Sequence, residues 1–330
     1  MADPAPLVSI ICVSYAQAKF VTQALDSVLA QTYRPIELLI VDDASPDESA
    51  AVIRQWLLAA RSEPTFQSLA RVVYLPRSQN GGNCRAFNTA LRQSIGQYVI
   101  DLAADDALLP TRVARQIHAF ATLPAHFGVV FSDAQFIDER SELLGTYYAH
   151  DALGQLRRPV PQGDVYQYAI AKQFICSPTM LIRRQVLDAL GGYDETLSYE
   201  DYDFWVRSAR HWHYFFQDEI LTQKRRLPRS HGSGFYRRGA NPHLVSTLRV
   251  CQKAFLLNQN TIEHQQLAVS VRYHLRLSLF TENFDLVAEF AKLLRQLGGL
   301  RWADRACLAL AHHQIPLYKW YVWWQRLRRN

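Results

Sequence analysis

A chain of 330 residues, 49% hydrophobic and 20% charged, has the composition of a globular protein of one large domain or two ordinary ones. Its net charge of +6 divides unevenly: residues 1–228 hold 21 Lys and Arg against 25 Asp and Glu, a net of −4, whereas residues 229–330 hold 15 against 5, a net of +10. Disordered, collagenous and low-complexity classes are excluded, and the longest apolar runs, such as residues 7–13, are too short to cross a bilayer as a helix. An acidic front suits a divalent cation with a neutral or nucleotide ligand, and a basic rear suits phosphate, anionic lipid or nucleic acid. The expected domains are therefore 1–228 and 229–330, divided where the chain enters the loop-like stretch PRSHGSGFYRRGANP.

The front alternates strand and helix signals. LVSIICV is a continuous apolar run rich in β-branched residues, the pattern of a parallel strand covered on both faces. Phe20, Val21, Ala24, Leu25, Val28 and Leu29 then recur at helical spacing, and IELLIVDD follows as a second strand ending in two aspartates. Ser45 or Asp47 is placed to cap the next helix, whose inward stripe is Val52, Ile53, Trp56 and Leu57. RVVYLP, a helix over residues 83–94, QYVIDLA and a helix opened by Pro110 complete a βαβα succession. The expected fold class is α/β: a Rossmann-like, doubly wound, mostly parallel mixed sheet followed by a helical C-terminal region.

Past residue 125, GVVFSDAQFID and TMLIRR read as strands, residues 140–165 as an irregular excursion of the kind that shapes a binding site, and residues 197–211 as a helix. Glu200, Asp201 and Asp203 fall in the first turns of that helix, where the helix dipole favours carboxylates even without any function. Beyond residue 243 the reading is helical throughout. Cys12, Cys84, Cys176, Cys251 and Cys307 are odd in number, far apart and form no CxxC, so they read as reduced, mostly buried thiols. MADPAP carries Asp3 and no basic stretch, which argues against a cleaved secretory signal and sets the expectation of a cytoplasmic protein.

Ligands of an open parallel sheet sit beyond the carboxyl ends of its strands. That singles out Ser14 and Tyr15, Asp42 and Asp43, and residues 103–106. Asp42 and Asp43 can hold a cation or accept hydrogen bonds from a nucleobase imide and ribose hydroxyls, although a plain turn or helix cap explains them equally well. Asp105 and Asp106 add a second acidic tip on the same edge. Like charges gathered in a cleft call for a compensating metal or ligand, so a metal-diphosphate site is the better reading of the two tips together.

Five segments, VSIICVSYAQAKFVTQALDSVLAQTY, IELLIVDDASPDES, NGGNCRAFNTAL, GQYVIDLAADDALLP and GGYDETLSYEDYDFWVRSA, resemble in order and spacing the inverting family 2 glycosyltransferases of the GT-A fold. The resemblance covers about residues 6–230 and does not extend to the rear. It implies that Tyr15 stacks on the base, beside Ser14, and that Asp42 and Asp43 hold uracil and ribose. Asn80 and Arg85 join them as donor-binding residues, as do Asp105 and Asp106. Asp105 matches the metal-binding aspartate of the family's DxD element, but here the preceding positions are Ala103 and Ala104, so the number of protein ligands to the metal is in question. Mg²⁺ or Mn²⁺ is the implied cofactor, and Mg²⁺ accepts one or two carboxylates with phosphates and water. Asp201, with Glu200 beside it, would be the general base, and His231 lies where related enzymes place a residue reaching the diphosphate and its metal.

The chemistry fits these residue types. A sugar leaving its nucleoside diphosphate develops charge on the β-phosphate, which a cation at Asp105 stabilises. A base then takes the acceptor hydroxyl's proton in an in-line displacement, a role typically worth ~10²- to 10⁴-fold. The implied partners are a nucleotide-sugar donor, with UDP leading, and a glycan or lipid-linked glycan acceptor. A receiver-type signalling module is disfavoured because RVVYLP carries no phosphoacceptor at its end, and a sugar nucleotidyltransferase because SYAQAKF replaces a Gly-rich phosphate loop. No nucleic-acid-binding module is recognisable. The final segment IPLYKWYVWWQRLRRN combines aromatic and basic residues and reads either as a docked terminal helix or as a peripheral attachment to an anionic membrane surface on the inner face of the cell membrane.

Overall fold

The computed structural model describes residues 4–227 and 231–327. In chain order the first elements are β1 (Val8–Ser14), α1 (Val21–Leu29), β2 (Ile36–Asp42), α2 (Ser49–Ala60), α3 (Pro64–Gln67), β3 (Arg71–Pro76), α4 (Asn83–Leu91) and β4 (Tyr98–Ala103). There follow β5 (Ala107–Leu108), α5 (Arg112–Thr122), β6 (Phe127–Ile137), β7 (Leu143–Thr146), α6 (Tyr166–Ala171), β8 (Leu181–Arg183), α7 (Arg184–Leu190), α8 (Asp201–Ala209) and β9 (His213–Arg225). The rear is helical, with α9 (Pro242–Leu257), α10 (Thr261–Phe280), α11 (Phe284–Gln296), α12 (Trp302–His312) and α13 (Tyr318–Leu327).

These elements gather into two compact units. One holds the described residues up to Val165 with Ile175–Thr196 and His211–Leu227; the other holds Tyr166–Phe174, Leu197–Arg210 and the described residues beyond 230. The first unit is built on a single mixed sheet in the order β3-β2-β1-β4-β8-β6-β9-β5, with β7 added to β6. β1 to β4 pair in parallel, as their unbroken apolar runs require, while β8, β5 and β7 join antiparallel. β1 and β2 are buried along their whole length, and Val21, Leu25, Val28, Ile53 and Trp56 cover one face of the sheet. At roughly 1.5–3 kcal/mol per buried aliphatic or aromatic side chain, this layer anchors the strand ends from which the site is built.

The second unit draws α6 and α8 onto the rear helices through specific polar contacts. The Tyr166 hydroxyl donates to Asn258 Oδ1 at 2.9 Å, the Arg210 guanidinium lies 3.9 Å from the Tyr166 ring centroid, and Arg210 pairs with Glu263 at 2.9 Å. The hydroxyls of Tyr199 and Thr247 lie 2.6 Å apart. Every cysteine is free; four are buried and Cys307 is partly exposed, as their spacing implied.

Candidate active site at the carboxyl edge of the sheet

Register places three strand tips side by side. Ser14 pairs with Asp42, and Val13 pairs with both Val41 and Ala103, so the ends of β1, β2 and β4 share one edge. The chain leaves β1 through Ala16 at φ +56° and β2 through Ala44 at φ +55°. Each costs about 1–2 kcal/mol outside glycine, and strain of this kind clusters at functional loops. Cross-loop bonds offset it: the amides of Ala16, Gln17 and Ala18 donate to Ser45 Oγ, Ser49 Oγ and Asp47 Oδ2 at 3.0, 2.9 and 3.1 Å. Burial pushes the Asp47 carboxyl up, but hydrogen bonds from Ser49 and Ala18 outweigh it and hold the group below its ordinary value. Asp47 thus ties the two loops together as well as accepting from the Ser49 amide at 3.0 Å in the first turn of α2.

Asp42 and Asp43 differ sharply. Asp43 accepts from Arg77 Nη1 at 2.7 Å and from the amides of Gly81 and Gly82 at 3.0 and 2.8 Å, which fastens the loop after β3. A Cβ on Gly81 would lie 2.6 Å from the Arg77 guanidinium and press on its bond to Asp43, and Gly82 has φ +83°, which favours glycine there. Asp42 receives only a long bond from the Ser45 amide, at 3.4 Å on Oδ2. Its Oδ1 and the Oγ of its register partner Ser14 are buried with no hydrogen-bond partner among the described residues. Tyr15, beside them, is 47% exposed. Asn80 is exposed in the same loop as Gly81, and Arg85 on α4 pairs with Glu195 at 3.1 Å.

At the β4 tip, Asp105 is partly exposed and Asp106 buried. β9 secures them: the Arg225 amide donates to Asp106 Oδ1 at 2.8 Å, and Arg225 Nε donates to the Asp105 carbonyl at 3.0 Å. The same guanidinium reaches Gln23 Oε1 at 2.6 Å and lies 4.5 Å from the Phe20 ring centroid. Burial raises the Asp105 carboxyl above its usual value against the pull of its own amide, Arg225 and Lys224. Asp106 is pushed up to about 7, by burial first and by the charge of Asp105 second. Two adjoining carboxyls held high in this way are a place where a dication would lower the energy of both ionised forms. Among the described residues no group of three or more His, Cys, Asp or Glu is disposed to hold a metal ion. Asp105, partly exposed and held high beside Asp106, is a single carboxylate of the kind that Mg²⁺ accepts together with phosphate and water.

The remaining predicted residues belong to the helical unit. Glu200 is the N-cap of α8 without a side-chain capping bond, and Asp201 follows it, with Oδ1 accepting from the Tyr202 amide at 2.7 Å. Asp203, by contrast, is buried and engaged on both oxygens, by Lys253 at 2.6 Å and Arg207 at 2.7 Å. His231 opens a 3₁₀ turn (His231–Tyr236), and its side chain lies outside the described residues. Sequence reasoning missed Arg77 and Arg225, the two cations that hold the tips. Arg225 was missed with its strand: HYFFQDEILTQKR carries aromatic residues at its start and β-branched Ile220 and Thr222 further on, and that was the available signal for β9.

A family model, Glycosyl transferase family 2, matches residues 9–191. The chain belongs to that family, and it has the GT-A fold. It is 29% identical over 221 residues to an uncharacterised glycosyltransferase of Rickettsia prowazekii, a match spanning 67% of this chain and 64% of that protein. Among solved structures it resembles TarS of S. aureus, residues 1–349, in complex with UDP, with a TM-score of 0.64 at 16% identity over 93% of this chain and 87% of that one. It also resembles the mannosyltransferase PcManGT of Pyrobaculum calidifontis in complex with GDP-Man and Mn²⁺, with a TM-score of 0.58 at 19% identity over 99% and 85% of the two chains.

Proposed function

We propose that the protein is an inverting, metal-assisted glycosyltransferase that moves a sugar from a nucleoside diphosphate donor, with UDP as the nucleotide, to a hydroxyl of a glycan or lipid-linked glycan at an anionic membrane surface. The observation that carries the reading is the pair of orphaned polar atoms, Ser14 Oγ and Asp42 Oδ1, on register-matched strands beside the open ring of Tyr15. Buried polar groups without partners cost about 1–3 kcal/mol each, and a ligand with hydrogen-bond donors at this edge removes that cost. A nucleoside offers them, from its base and ribose, together with a flat face for Tyr15. Asp43 keeps the loop carrying Asn80, Gly81 and Gly82 in place beneath the donor.

The diphosphate belongs at Asp105, and bound Mn²⁺ or Mg²⁺ supplies Lewis-acid stabilisation of the departing phosphate there. Arg225 holds the turn that presents Asp105, and Asp106 packs behind it. Asp201 accepts the proton of the acceptor hydroxyl, with Glu200 as its neighbour at the helix start. A carboxylate at that helix start interacts favourably with the dipole of α8.

The test is a panel of nucleotide sugars titrated calorimetrically with and without Mn²⁺; failure of every donor to bind would sink the assignment. Asp201→Asn separates base from binder. It should retain donor affinity and lose transfer by ~10²- to 10⁴-fold, and a loss smaller than about tenfold would give the base role to another group.

A further inference from the structure

α13 belongs to the helical unit. One side of this helix is docked: Tyr321 is buried with Leu244 and Leu277, its ring stacks on Phe280 with centroids 5.2 Å apart, and the Tyr318 amide donates to Glu282 Oε1 at 3.2 Å. The other side carries Trp320, Trp323 and Leu327, spaced i, i+3, i+7 as on the inward stripe of an ordinary amphipathic helix, while Trp324 at its edge stacks on Tyr321 with centroids 6.4 Å apart. Here that stripe faces outward. Trp320 is 70% exposed, Trp323 57%, and Leu327 56%. Large apolar side chains lined up in this way mark an interaction surface.

Charge identifies the partner. No Asp or Glu follows Asp304, whereas Arg305, Lys319, Arg326, Arg328 and Arg329 all do, and Lys319, next to Trp320, is exposed. Tryptophan beside Lys and Arg is the composition of a segment that lies in the headgroup layer of a membrane, the indoles at the polar-apolar boundary and the cations on anionic lipid. Over its ten described residues α13 is about 15 Å long, and among the described residues no helix is long and apolar enough to cross a membrane.

We propose that the Trp320–Trp323–Leu327 face of α13 is a preformed docking surface for an anionic lipid bilayer, held in position by Tyr318 and Tyr321. This deepens the membrane element of the proposed function and does not depend on which donor is used.

The experiment is flotation of the 330-residue chain with vesicles of phosphatidylcholine, with and without phosphatidylglycerol. The wild type should float with the anionic vesicles and remain behind with the neutral ones. Trp320→Ser combined with Trp323→Ser should lower partitioning roughly tenfold or more, and Lys319→Glu roughly fivefold or more in low salt. Both variants should keep the wild-type melting temperature, because the changed side chains are exposed. Should the tryptophan variant misfold, Lys319→Glu decides by itself. Failure of the wild type to bind anionic vesicles, or wild-type binding by folded variants, would overturn the proposal. A dimer seen by light scattering and abolished by the tryptophan variant would also overturn it, by assigning the face to a second copy of the chain. Donor binding by calorimetry is read in parallel, so loss of the surface and loss of the donor site are told apart.

Discussion

The tips of β2 and β4 carry the same dipeptide, two consecutive aspartates, and the fold uses the two pairs in different ways. At β2 the pair divides its work: Asp43 is consumed by Arg77 and two glycine amides, while Asp42 keeps a buried oxygen without a partner. At β4 both carboxyls are pushed up together, and the stabilising contacts come from Arg225 across the sheet rather than from a local loop. The β2 tip is thus a rigid cradle with a single open acceptor, suited to directional hydrogen bonds. The β4 tip is a concentration of partly neutralised charge, suited to a cation and a diphosphate.

The largest expected effect is at β4. Asp105→Ala should reduce transfer by about 10²- to 10³-fold, the range seen when one electrostatic stabiliser is removed, and Mn²⁺ should no longer strengthen UDP binding in calorimetry. The melting temperature should hold, since the side chain is partly exposed at the strand tip and is not a core group. Retained Mn²⁺ dependence would move the cation away from β4 and dissolve the contrast between the tips.

Next in size is Asp43→Ala. It leaves the largely buried Arg77 without its partner and frees the glycine loop, which should cost about 3–5 kcal/mol and appear as a lowered melting temperature without any donor present. Normal melting would mean that Asp43 does not fasten the loop. The smallest effect is a pH dependence. Because the folded-state value of Asp106 is raised to about 7 from an ordinary carboxylate value, the native protein binds the proton more tightly than the unfolded chain does. The stability this contributes is fully present below the unfolded value of about 4 and is lost as pH rises through about 7. Asp106→Asn should abolish that trend while keeping an acceptor for the Arg225 amide, so thermal melts of variant and wild type should draw apart in the variant's favour between pH 4 and 8. Parallel curves would show that Asp106 is not held high.

Much of this edge was legible in the sequence, because local pattern and strand-tip geometry determine it: VSIICVS, IELLIVDD, RVVYLP and QYVIDLA each form the strands their apolar runs describe. The difference between Asp42 and Asp43 was not legible. It depends on Arg77 and on the backbone of Gly81 and Gly82, which lie some forty residues on and meet Asp43 only when β3 has paired with β2. Ala16 and Ala44 carry no signal of their left-handed backbone, since the loops that force it are held by Ser45, Asp47 and Ser49 across the tip. Composition records net charge and not packing, so it gives no hint that residues 166–174 and 197–210 pack with the rear helices through Tyr166, Tyr199 and Arg210. The same limit hid the distinction between Asp203, locked by Arg207 and Lys253, and Asp201 two residues before it.

The most direct test of the account is a calorimetric titration of UDP, with Mn²⁺, into the wild type and into the Ser14→Ala, Asp42→Ala double variant. Removing both orphaned groups should weaken binding by about 10- to 10²-fold, the worth of one or two hydrogen bonds to a charged or buried partner, with a melting temperature close to that of the wild type, because the hydrogen bond lost is the long one from the Ser45 amide to Asp42 Oδ2. Equal affinity in the two proteins, with both folded, would contradict the central claim that this pair receives the nucleotide.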